Sequence, residues 1–144
     1  MKSRTKARGI ALQALFEYDL TGHSIGVILQ HRLHDNPLEK KHHSFIREIV
    51  LGVLPIIEKL DKVIGTYAAD WPLDQVASID RNIIRIALWE FAVGKCTPVK
   101  VAINEAVELA KIFGSDSTPR FINGVLGSLV TNLNDFQSSL NNQE

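Results

Sequence analysis

The chain has 144 residues, and 16 Lys and Arg balance 16 Asp and Glu, so the formal net charge is zero. That length can bury one hydrophobic core without disulfide or metal support, and the balanced charge argues against a protein that coats nucleic acid by bulk electrostatics. No apolar run is long enough to span a bilayer, the charged start lacks the apolar segment of a secretory signal, and the lone cysteine, Cys96, has no internal partner, which together suit a cytoplasmic protein with no membrane partner.

The charge is unevenly placed. Lys2, Arg4, Lys6 and Arg8 occupy the first eight residues with no acid among them. Either they solubilise a frayed terminus or they form a local basic site. Their alternation does not follow helical spacing, which predicts a flexible arm that can track a phosphate backbone. A helix over 5–20 follows, with Ala7, Ala11, Ala14, Leu15 and Tyr18 at helical spacing. At about 100° per residue, Phe16 points away from that stripe, flanked by Leu12 and Leu20. Two readings are open: the helix is buried on both sides, or the Phe16 face, with Leu12, binds a partner.

Ile25, Ile28, Leu29 and Leu33 mark a short second helix, broken at Asp35-Asn36-Pro37. A long third helix runs from His42 to Tyr67, with Pro55 predicting a kink. Trp71-Pro72 marks a junction, followed by a turn or short helix over 72–77. Ile83, Ile84, Ala87, Leu88 and Phe91 define the next buried helix, ended by Gly94. Thr97-Pro98 reads as an N-cap hydroxyl followed by proline in the first turn. Its helix ends at Gly114, and Ser117 or Thr118 with Pro119 starts the last one, which carries Ile122, Val125, Leu126, Leu129 and Leu133. The expected architecture is all-α, a single compact domain of about seven helices over 1–134, with a polar, frayed tail over 135–144.

Chemistry-bearing motifs are sparse. There is no phosphate loop or dinucleotide fingerprint, and one cysteine excludes thiolate zinc clusters. His31, His34, His42 and His43 lack a carboxylate or cysteine at ligand spacing, so they read as a solvated group. Glu105 and Glu108 share a helix side, but Lys111 makes that an ion-pair face. No enzyme, metal or cofactor is expected. Phe121 lies off the core stripe of the last helix, directly after Arg120. A helix N-terminus with an adjacent guanidinium suits a phosphate, and an aromatic there can stack on an unpaired base. Local packing of Phe121, as a hydrophobic staple, is the alternative. The arm and this turn would form one single-stranded RNA site if the fold joins them.

Over most of its length the chain resembles the NusB family. The resemblance is carried by Pro98-Val99-Lys100-Val101-Ala102-Ile103-Asn104-Glu105-Ala106-Val107-Glu108-Leu109-Ala110-Lys111, then Phe113-Gly114, then Phe121-Ile122-Asn123-Gly124-Val125-Leu126. These stretches are similar to the family pattern P-x-x-V-A-I-N-E-A-V-E-L-A-K, F-G and F-V-N-G-V-L. Asp80-Arg81-Asn82-Ile83-Ile84-Arg85-Ile86-Ala87 with Glu90, and Ala7-Arg8 with Ala11 to Phe16, are further matches. The resemblance implies two small three-helix subdomains packed into one unit. It implies binding of single-stranded boxA RNA, and a heterodimer with NusE, the ribosomal small-subunit protein, in an RNA polymerase antitermination complex. That complex suppresses premature termination in ribosomal RNA operons.

By position, the resemblance places RNA contacts at Arg4, Lys6 and Arg8, with Lys2 in the same arm, and at Arg120 and Phe121. It places NusE contacts at Phe16 and Asp80, with Leu12 beside Phe16. The sequence departs from the family pattern at Thr5, Gly127, Pro119 and the acidic, asparagine-rich C-terminus, which implies weaker RNA affinity or more reliance on the partner. Two other readings remain: a relative of the helical domain of ribosomal RNA cytosine methyltransferases, whose catalytic domain is not expected here, and a protein-only interaction module. Self-association through the Phe16 stripe, giving a homodimer, also stays open.

Overall fold

The computed structural model describes residues 2–68, 70 and 75–141, so the Trp71-Pro72 junction and the end of the tail lie outside the described residues. Among the described residues there are eight α-helices and no strand. They are α1 (Ser3–Thr21), α2 (Ile25–Asp35), α3 (Lys40–Val53), α4 (Ile57–Tyr67), α5 (Ser78–Leu88), α6 (Val99–Phe113), α7 (Thr118–Thr131) and α8 (Leu133–Asn141). α1, α2 and α3 pack as one group, α5, α6 and α7 as a second, and α1 also packs on α5 and α6.

α1 is central. Ala7, Ala11 and Ala14 on one side and Ile10, Leu12 and Leu15 elsewhere around it are all buried. Small residues let neighbouring helices approach closely: a Cβ on Gly9 would sit 3.1 Å from the Phe113 ring. The helix ends at Gly22, whose left-handed φ of 67° lets its N–H reach the Tyr18 carbonyl. The long third helix breaks as Pro55 requires: a 3-10 turn at Leu54–Ile56 separates α3 from α4.

α5 is buried almost throughout and continues into a π-helical turn, Trp89–Val93. That turn seats the Trp89 indole against Gly52 of α3, where a Cβ would come within 2.4 Å of the ring. α6 starts one residue later than Thr97-Pro98 suggested. The Thr97 hydroxyl does not cap it but donates to Glu90 at 2.7 Å.

The tail is the largest departure from the sequence reading. Residues 133–141 form α8, with Phe136 and Leu140 buried against α4 and the π turn. Gln137 and Asn141 both donate side-chain N–H groups to the Ala92 carbonyl, at 3.2 and 3.1 Å. The helix is held by two apolar side chains at i, i+4 and by amides that serve a backbone acceptor near the π turn.

Candidate nucleic-acid interface

The basic start is helical, not a flexible arm, because α1 begins at Ser3. On a helix the alternating cations resolve into two i, i+4 pairs, Lys2 with Lys6 and Arg4 with Arg8. Lys2, Arg4 and Lys6 are exposed. The Arg4 guanidinium lies 4.0 Å from the centre of the Phe45 ring of α3, which holds the side chain against the body.

Arg8 must be reassigned. It is buried, and its guanidinium meets Glu90 through Nε to Oε2 at 2.9 Å and Nη2 to Oε1 at 2.8 Å. Glu105 approaches Nη1 at 3.7 Å and accepts a hydrogen bond from Thr5 at 3.0 Å. Burial alone would lower the Arg8 pKa. The hydrogen bond and charge of Glu90, with Glu105, outweigh that and hold it above the ordinary arginine value. Arg8 is therefore a positioning residue: it ties α1 to the π turn and keeps the exposed cations on a rigid helix. Glu90, Thr97 and Glu105, its supports, were missed from sequence. The available signal was an acid inside the apolar run Ile83–Val93.

Lys2, Arg4 and Arg8 line a cleft with Thr97, Pro98 and Glu105 near the start of α6. Arg120 is exposed on the first turn of α7, which follows the other end of α6. A 15-residue helix is about 22 Å long, so the basic start and Arg120 do not share one pocket. Lys6 stands between them, in a cleft that also contains Phe113 at the end of α6. The cations form an interrupted track along the molecule. Phe121 is half-buried and packed against the core, as local packing of this ring requires.

The expected partner face also divides. Leu12 is fully buried, so two-sided burial of α1 accounts for it and it presents no contact surface. Phe16 is half-buried but stands outside the residues packed on the core, Leu20 one turn on is exposed, and Tyr18 is exposed on another side of the helix. Asp80, in the first turn of α5, accepts a hydrogen bond from Thr118 at 3.3 Å, which joins the first turns of α5 and α7. Burial pushes the Asp80 carboxyl above its ordinary value, and the Thr118 hydrogen bond pulls partly back. Asp19 at the end of α1 meets Asn82 at 2.9 Å and Arg85 at 3.2 Å, and Arg85 forks onto Asp61 of α4 at 2.7 Å on both arms.

Among the described residues no group of three His, Cys, Asp or Glu is placed to hold a metal ion, and no helix is long and apolar enough to cross a membrane.

Residues 5–131 match the NusB family model. The transcription antitermination protein NusB of Dehalococcoides mccartyi strain CBDB1 is 47% identical over 133 residues, which cover 92% of this chain and 93% of that protein. The solved structure of T. maritima NusB superposes with a TM-score of 0.81 at 29% identity, covering 89% of this chain and 90% of that one. A chain from a crystal structure of the antitermination factors NusB and NusE in complex with dsRNA superposes with a TM-score of 0.82 at 23% identity, covering 91% of this chain and 98% of that one. From its first helix to the end of its seventh, this chain belongs to the NusB family.

Proposed function

We propose that the chain is a transcription antitermination factor that binds single-stranded boxA RNA together with NusE, within an RNA polymerase complex that suppresses premature termination in ribosomal RNA operons. The observation that carries this reading is the track of exposed cations, Lys2, Arg4, Lys6 and Arg120, on a chain of zero net charge in a family named for antitermination. NusE as partner is supported by the solved structure of NusB and NusE in complex with dsRNA, whose chain shares this fold. The mechanism is binding. Phosphate contacts supply affinity, and contacts to unpaired bases supply preference. Mounting Arg4 and Lys6 on α1, with Lys2 at its N-cap, lowers the entropy lost when RNA docks, compared with a free arm. The half-exposed Phe16, with Leu20 one turn on, offers NusE an aromatic and apolar face at the far end of the same helix.

The test uses Arg4→Ala with Lys6→Ala, leaving Arg8 in place. Binding of a labelled boxA RNA is measured by anisotropy over a salt series. Each lost phosphate contact should flatten the plot of log affinity against log salt by about 0.7. An unchanged slope refutes the track. Phe16→Ala should weaken NusE capture several-fold while RNA binding by the isolated protein stays as it was.

A further inference from the structure

We propose that the cleft between α1, the end of α6 and the α2–α3 connection is a pocket for one unpaired RNA base, with Gln13 and Asn36 reading its edge. This rests on the RNA-binding reading and adds residues that reading did not include. The cleft has a volume of about 360 Å³ and is lined by Lys6, Gly9, Ile10, Gln13, Asn36 and Phe113, with Thr5 at one side. No carboxylate is among these residues, and the nearby Glu105 carboxylate is engaged by Thr5 and Arg8. Lys6 is exposed at the cleft and belongs to the cationic track, which places a phosphate donor beside the pocket. Phe113 supplies an aromatic ring, seated over Gly9, against which a base can pack.

The polar inventory points to a class of base. The Thr5 hydroxyl is committed to Glu105. Asn36 spends one amide N–H on the Arg32 carbonyl at 2.7 Å, and its side-chain oxygen accepts no hydrogen bond from a described residue. The Gln13 side chain makes no hydrogen bond to any described residue, although it is half-buried. The pocket therefore offers the donor and acceptor of Gln13 side by side, with a second acceptor from Asn36. That set takes the two N–H groups of an exocyclic amine next to a ring nitrogen, as adenine and cytosine present it, and equally the O6, N1–H and N2–H edge of guanine. Uracil can pair with the Gln13 amide through N3–H and a neighbouring carbonyl, but it has no second N–H for the Asn36 oxygen and is disfavoured.

Binding of the full chain to labelled nonamers is compared by anisotropy, using an all-uridine strand and strands with one adenosine, cytidine or guanosine at successive positions. The wild type should favour a strand with one such base, at one register, by at least about fivefold over all-uridine. Gln13→Leu should abolish that preference while the salt slope stays the same, and Asn36→Ala should reduce it, with thermal melting confirming that both variants fold. Absent discrimination in the wild type, or discrimination that survives in both folded variants, overturns the pocket. If binding and its salt dependence persist in that case, the RNA-binding reading stands and only the pocket fails. If the wild type binds none of the strands, with or without NusE, both fall.

Discussion

Arg4 and Arg8 lie one helical turn apart and carry the same charge, yet their surroundings give them opposite roles. Arg4 is exposed over Phe45, whereas Arg8 is buried and bidentate to Glu90. Removing one member of a buried ion pair leaves the other charged and unsolvated, so Arg8→Ala should cost about 3–5 kcal/mol in urea unfolding. Arg4→Ala should change stability by no more than about 0.5 kcal/mol. Equal losses would contradict this division. Asp80 makes a prediction of opposite sign. Burial raises its carboxyl above the ordinary value, and unfolding returns it there. Between the two values the folded state holds the extra proton, so the stability that this site contributes is full in acid and is lost as pH rises through the folded value. Asp80→Asn keeps an acceptor for Thr118 and should be more stable than the wild type at neutral pH, with the gap closing on acidification. A wild type that is the more stable at neutral pH would show that the charge at Asp80 is favourable.

At the scale of elements, α8 and the π turn depend on each other. Phe136 is fully buried and stacks near Tyr67 of α4, with ring centres 5.2 Å apart. Phe136→Ala should destabilise the protein by about 3–5 kcal/mol, as for other buried aromatics. A loss of less than about 1 kcal/mol would mean that α8 is detached in solution. Residues 135–144 read as a polar tail because only Phe136 and Leu140 are apolar among them, too few for a periodicity to register. Its amides acquire their meaning only when the Ala92 carbonyl is beside them. The kink at Pro55 was legible because proline acts on its own backbone and needs no neighbour to do so.

The whole molecule is organised around α1, which belongs to both helical groups. Asp19 on α1 and Asp61 on α4 share Arg85 of α5, which ties the groups together by charge as well as by packing. Neither half can lose its structure without exposing α1. Unfolding should therefore be one cooperative transition, with helix content by circular dichroism and tryptophan fluorescence falling at the same urea concentration. Two separated transitions would show that the subdomains are independent.

The positions of most helices, though not α8 or the first turn of α1, the all-α class and the family pattern from Pro98 to Leu126 were legible in the chain by itself. They follow from local rules: apolar spacing, proline and glycine punctuation, and a run of residue types in fixed order. The side that each cation faces was decided by the tertiary structure. Arg8 is turned inward because Glu90, 82 residues away in sequence, waits there, and Leu12 is buried because α1 has neighbours on more than one side. Long-range pairing carries no periodic signal, so the difference between a surface charge and a buried strut appears only once the helices are packed.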